Sequence, residues 1–251
     1  MAIALVFAGL LGLAVGSFLN VVIYRLPRHE SLSTPGSHCP GCGVGVAPRD
    51  NIPVLSWLLL RGRCRNCKTA ISGRYPLVEA LTAVLAICVV IAKGADRDVW
   101  LGLAFVLVLV PCALIDLEHR IIPNKITLPG AVAAIVITAL THPGHLPAQL
   151  IAGAAAFTFL LLAVLAYPSG MGMGDVKLAG VMGLFLGRDV APAILVALLA
   201  GSLFGMVIIA RKGAKEGRKT TVPFGPFLAL GGLVGLFAGH AIVHWYLHSF
   251  T

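Results

Sequence analysis

Apolar residues run along this chain in long blocks instead of alternating with polar ones. Eight blocks stand out, at about 2–23, 77–93, 98–116, 126–141, 148–167, 175–188, 191–210 and 225–247. Several approach or exceed the roughly 20 residues an α-helix needs to cross a bilayer. The pattern predicts an all-α polytopic membrane protein with about eight transmembrane helices and one small cytoplasmic loop domain. The fourth and sixth blocks are short, which fits tilted, partly irregular or incomplete crossings. The stretch 24–76 differs from everything around it: it is rich in Gly, Pro, Arg and Cys and has little apolar material for a core. The expected organisation is therefore a first transmembrane helix (1–23), a loop domain (24–76) and a larger transmembrane domain (77–251).

Composition strengthens this picture. Of 251 residues, 58% are hydrophobic and 12% charged, against about 25% charged in soluble domains. The formal net charge is +9. In a chain this apolar, such a charge reads as topogenic residues and contact with anionic lipid headgroups, and no nucleic acid is expected as a partner. No cation precedes the first apolar block, whereas Arg25 and Arg28 follow it. A secretory signal has the opposite arrangement, so the block reads as an uncleaved span with its N-terminus outside. That orientation places all but Lys93, Arg97 and Arg188 of the 19 lysines and arginines inside, as the positive-inside rule requires. The run 211–220, RKGAKEGRKT, is then a solvated inner loop.

The loop domain carries two CxxC pairs, Cys39/Cys42 in HCPGC and Cys64/Cys67 in RCRNC. Two such pairs suit a tetrahedral zinc ion held by four thiolates, a structural site with no open position. The arginines near Cys64 are expected to favour its thiolate. Disulfides and a redox CxxC are the alternatives; stable disulfides are rare in a reducing cytoplasm, and two pairs within one basic, coreless loop favour a metal. Cys88 and Cys112 fall in apolar blocks and read as small core residues.

Three acids fall within or at the ends of apolar blocks: Glu79, Asp116 and Asp175. Ionisable groups at membrane depth are costly and usually functional. Alone, Asp175 in GMGMGDVKLAG reads as a helix N-cap, and Asp116 as an interfacial carboxylate near Arg120. Both, however, fall at the cytoplasmic face, on different helices. Two carboxylates meeting at one depth are what an aspartic protease needs: the pair shares a proton, one member acts as general base on a water, and the other polarises the peptide carbonyl. Gly172 and Gly174, lacking side chains, would let an extended peptide approach closely. Lys177 either tunes the pair or marks the inner surface. Glu79 either faces the same region or pairs with a nearby arginine. A proton-coupled transporter using the Asp pair as a relay is the alternative; it calls for a water path to both faces and for repeat symmetry, and the chain shows no convincing repeat. His240, His244 and His248 share one helix face at its outer end and read as an interfacial stripe.

Together, GSFLNVVIYRLP (16–27), the two CxxC pairs, ISGRYPLVEALTA (71–83), LIDLEHRIIPNKITLP (114–129), GMGMGDVKLAG and PFGPFLALGG (223–232) resemble the type IV prepilin leader peptidases. The aspartate behind Gly-x-Gly also resembles intramembrane aspartyl proteases more broadly. The resemblance implies a multi-pass protein of the bacterial inner membrane. Such an enzyme cleaves the basic leader of type IV prepilins and type II secretion pseudopilins on the cytoplasmic side. It then N-methylates the new N-terminus from S-adenosylmethionine. Asp116 and Asp175 match the family's catalytic aspartates. Cys39, Cys42, Cys64 and Cys67 match the tetrad of its bifunctional members, which makes 24–76 the candidate methyltransferase region. The chain departs from the family at Pro123-Asn124, where Pro-Asp is usual.

Overall fold

The computed structural model describes residues 1–94, 96, 98–167, 171–213 and 222–249. Among the described residues the secondary structure is helical, with two isolated antiparallel bridges in the loop. Two compact units divide the chain, Met1–Val99 and Trp100–Thr251. The helix after the loop thus groups with the first helix, whereas the hydropathy pattern alone drew its boundary at residue 77.

The first unit contains α1 (Ala2–Arg25), the short α2 (Leu55–Leu59) and α3 (Arg74–Lys93). Helix α1, at 24 residues, extends about 36 Å, enough for the hydrocarbon core of a bilayer. It gives way to a 3-10 turn at Leu26–Arg28, where Pro27 removes a backbone donor. Small residues bring α1 and α3 together. A Cβ on Gly12 would lie 2.6 Å from Ala83 Cα, and one on Gly16 2.7 Å from Glu79 Cα. In lipid, where no hydrophobic effect drives helices together, such close approach is a main source of association. Asn20, buried in this seam, donates to the Tyr75 carbonyl at 3.0 Å.

The second unit contains α4 (Asp98–His119), α5 (Asn124–Thr141), α6 (Leu146–Ala166), α7 (Met173–Leu186), α8 (Val190–Lys212) and α9 (Gly225–Ser249). Its core is apolar and aromatic: Phe105, Leu109 and Ile115 of α4, Leu178 and Met182 of α7 and Leu228 of α9 are fully buried. Phe105 stacks on Phe185 at 5.0 Å between ring centroids. Helices α6 and α7 cross at small residues, where a Cβ on Gly183 would lie 2.6 Å from Gly153 Cα.

All eight expected long helices form. By length and composition they make seven apolar stretches able to cross a membrane, because α7 and α8 belong to one stretch, Met173–Lys212. A 3-10 turn at Gly187–Asp189 breaks that stretch, and Gly187 adopts a φ of +57° there. Helix α7, at 14 residues, is about 21 Å long, shorter than the roughly 30 Å hydrocarbon core. The chain is an integral membrane protein.

Candidate active site and metal centre

Helix packing in the second unit takes Asp116 and Asp175 out of solvent, leaving 5% and 7% of each exposed. Asp116 lies in the last turn of α4, which continues past it to His119. Asp175 lies in the first turn of α7. It is not the N-cap itself. That position belongs to Gly172, whose N–H donates to Asp175 Oδ2 at 3.1 Å. The carboxylate thereby satisfies one of the amides a helix start leaves unpaired. Its other oxygen, Oδ1, is buried with no hydrogen-bond partner among the described residues. A buried, unpaired acceptor costs free energy and is a ready seat for a water or a peptide group.

Asp116 is seated in a parallel way on a different helix. The N–H of Gly225, the first residue of α9, donates to Asp116 Oδ2 at 2.8 Å. Both carboxylates therefore sit at helix N-termini, where free amides and the helix dipole favour negative charge. Gly225 has to be glycine for steric reasons: a Cβ there would lie 2.8 Å from Asp116 Oδ2 and 2.9 Å from Asp116 Cβ. Hydropathy and motif spacing did not single out this residue. Its signal was present in PFGPF, a glycine before a proline at the start of an apolar block, the usual punctuation of a helix start.

The remaining candidate residues are divided between the two units. Gly174 packs against the α4–α5 connection, with a Cβ there coming within 3.0 Å of Ile122 Cβ, so its missing side chain serves packing inside the second unit. Gly172 is exposed and extended, with Asp175 Oδ2 3.5 Å and the Gly174 amide nitrogen 3.9 Å from its Cβ position among the described residues. Gly170 lies outside the described residues. Lys177 donates to Asn124 Oδ1 at 3.0 Å, so it bonds the residue that departs from the family pattern. Glu79 lies in the first unit. Its buried carboxylate accepts the Val54 N–H at 2.7 Å and ties the loop to α3. Glu118 is exposed, as are His240, His244 and His248. Among the described residues these histidines form no potential metal-binding group.

The four loop cysteines form a separate constellation. Two copies of one turn present them. In the first, Cys39 N–H bonds the Val44 carbonyl and Gly43 N–H the Cys39 carbonyl; in the second, Cys64 N–H bonds Thr69 and Lys68 N–H bonds Cys64. A bridge closes each turn, His38 with Gly45 and Arg63 with Ala70. The residue after the second cysteine is left-handed in both, Gly43 at φ +71° and Lys68 at φ +60°. The four sulfurs lie within 4.8 Å of one another, and Cys39 Sγ is 3.7 Å from Cys67 Sγ. A tetrahedron with Zn–S bonds of ~2.3 Å has sulfurs ~3.8 Å apart, so the donor set fits a metal ion.

Local hydrogen bonds set the character of the metal-free thiols. Thr69, through its side chain at 3.2 Å and its backbone, holds the Cys67 thiol down at about 6. Backbone amides at Cys67 and Asn66 lower that of Cys64. The arginines were expected to do this, but Arg65 is occupied in a bidentate pair with Asp50, its closest contact 2.7 Å. Backbone amides at Gly41 and Cys42 favour the Cys39 thiolate. Burial and the sulfurs of Cys64 and Cys67 outweigh them, raising Cys39 to about 11.

Comparison with known proteins places this arrangement in a family. Residues 10–93 match the bacterial peptidase A24 N-terminal domain, and residues 103–210 match the type IV leader peptidase family. The prepilin leader peptidase/N-methyltransferase of Aeromonas salmonicida (strain A449) is 35% identical over 273 residues, covering 96% of this chain and 92% of the relative. The proteins of the same name from Aeromonas hydrophila and Legionella pneumophila are 35% and 34% identical, over 96% and 95% of this chain and 93% of each relative. No solved structure gives a significant match. The chain belongs to the type IV leader peptidase family.

Proposed function

We propose that this protein is an intramembrane aspartic endopeptidase that removes the leader of type IV prepilins and type II secretion pseudopilins, with Asp116 and Asp175 as its catalytic pair. The observation that carries the assignment is the shared seating of the two carboxylates at the N-termini of α9 and α7, with Asp175 Oδ1 buried and unpartnered among the described residues. Two carboxylates at close range cannot both ionise cheaply, so they hold one proton between them. The ionised member takes a proton from water as the water attacks the scissile carbonyl. The protonated member hydrogen-bonds the carbonyl oxygen as negative charge develops there. Exposed Gly172 leaves room for an extended substrate beside Asp175, and Lys177, fixed by Asn124, marks the rim. The transporter alternative gains no support, since relatives spanning nearly the whole chain are named as peptidases.

The second activity follows from the relatives' names, which include N-methyltransferase. In this reading the loop domain 24–76 is the methyltransferase region and S-adenosylmethionine supplies the methyl group. Zinc is the ion for Cys39, Cys42, Cys64 and Cys67, where four thiolates make it structural. The charge distribution orients the chain in the inner membrane with its N-terminus outside and the loop and both aspartates at the cytoplasmic face, in contact with anionic lipid. Mass spectrometry of a prepilin N-terminus after incubation with the purified enzyme and labelled methyl donor tests both activities. A cleaved and methylated terminus is expected. Cleavage that persists in Asp116→Asn or Asp175→Asn overturns the site, and correct cleavage without label removes the methyltransferase.

A further inference from the structure

One buried charge in the first unit has no part in either constellation. Arg25, in the last turn of α1, is 8% exposed. It donates to the carbonyls of Ser31, Pro35 and Gly36 at 3.0, 2.7 and 3.3 Å. Carbonyls orient a guanidinium but do not neutralise it, and no carboxylate pairs with Arg25 among the described residues. A cation taken out of water without a counter-charge is costly. Arg25 lines a cavity of about 320 Å³, which is where a counter-ion would be supplied.

The cavity wall identifies the kind of ligand. On one side it is a single stripe of α1, with Ala14, Ser17, Phe18 and Val21 leading up to Arg25 at the i, i+3, i+4, i+7 and i+11 spacing of one helix face. That stripe covers about 16 Å of a transmembrane helix, and Phe18 is 51% exposed on it. On the other side the loop contributes the polar groups of Ser33, Ser37 and Asn51 beside Leu32, Pro35 and Gly36. A ligand matching this wall is anionic at the cytoplasmic end and apolar along the membrane. A water-soluble donor molecule has no use for the apolar stripe, and a basic leader peptide is repelled by Arg25. Basic pockets beside transmembrane helices on the cytoplasmic side are a recurrent form of lipid-headgroup site.

We propose that this cavity binds one anionic phospholipid, its phosphate against Arg25 and the hydroxyls of Ser33 and Ser37, its acyl chain along Ala14, Phe18 and Val21. The lipid would complete the charge balance of the turn Ser31–Gly36 and fix the start of the loop domain at the bilayer surface. The proposal rests on the cytoplasmic placement of the loop given above.

Native mass spectrometry of the intact protein tests it, after purification from vesicles of equal phosphatidylglycerol and phosphatidylethanolamine. The wild type is expected to retain one phosphatidylglycerol. Ser37→Trp, which fills the cavity while leaving the Arg25–carbonyl bonds in place, and Arg25→Gln are each expected to lower that retention at least ten-fold. Arg61→Gln, a loop cation outside the cavity, is expected to leave it unchanged. Zinc content reports whether each variant's loop is folded, and lipid retention is compared in whichever cavity variant keeps its metal. Equal retention of both lipids by the wild type, or undiminished phosphatidylglycerol in a metal-loaded cavity variant, overturns the proposal. So does labelled S-adenosylmethionine that binds the wild type, is lost in Ser37→Trp and leaves lipid retention as it was. Prepilin cleavage by the same wild-type sample separates the two readings, since failed lipid retention with cleavage intact refutes the lipid site alone.

Discussion

The cysteine cluster and the carboxylate pair both bring acidic groups together, but by opposite constructions. The cysteines come from two copies of one local turn, each closed by its own backbone hydrogen bonds. Within a copy the partners are three residues apart, and in the proposed reading a metal ion would have only to join two prefabricated halves. The carboxylates come from α4 and α7; Asp175 takes its hydrogen-bond donor from Gly172 at its own helix start, but Asp116 depends on the start of α9. Nothing local holds them together, and their geometry is the product of helix packing across the second unit. A site built from local turns gains its stability from its ion, whereas one built from helix contacts inherits its stability from the fold.

Substitutions that separate the two constructions run from large effects to small. Asp116→Asn and Asp175→Asn should each lower prepilin cleavage in membranes by about 10⁴-fold, the upper range for a general acid–base group, with zinc content by elemental analysis unchanged. Cys39→Ser, or chelation of the wild type, should remove the metal and strip hydrogen-exchange protection from 26–73, since structural zinc contributes folding free energy outright. The amides of α4 and α7 should stay protected, and their exposure would break the contrast. Gly225→Ala should cost 10- to 100-fold in cleavage, on the order of 1.4–2.7 kcal/mol of transition-state stabilisation, in a protein that still folds and binds zinc. Its Cβ displaces the Asp116 carboxylate from the α9 amide. Gly43→Ala should weaken zinc binding about ten-fold in a chelator competition, because an L-residue at a left-handed position costs roughly 1–2 kcal/mol. Lys68→Gly, the same position in the other turn, should tighten binding by only about three-fold, because glycine's freedom in the unfolded loop offsets ~0.4–1 kcal/mol of the relief.

The same contrast explains how much was legible in the sequence. The eight long helices could be read because a bilayer demands long apolar blocks, and the cysteine pairs because their spacing is itself the geometry. Asp116 and Asp175 could be named because carboxylates are rare in such blocks. The amides that seat them could not be read in the same way. A backbone N–H has no letter of its own, and Gly225 lies 109 positions from Asp116. The roles of the small residues were equally hidden. Gly174 looked like clearance for a substrate, yet Ile122 fills that space. Glu79 offered an arginine or the inner cavity as partners, and the structure gives it the Val54 amide, a residue whose own φ is +59°.

The seating of Asp116 on Gly225 has a consequence for biogenesis. A membrane protein is synthesised from its N-terminus, and both aspartates are made before α9. Until α9 inserts, Asp116 lacks the Gly225 amide that receives its carboxylate. An incomplete chain at the insertion machinery therefore carries both acids without a finished site. In the proposed reading, α9 is therefore a late condition on activity, because the pair is complete only once the Gly225 amide reaches Asp116.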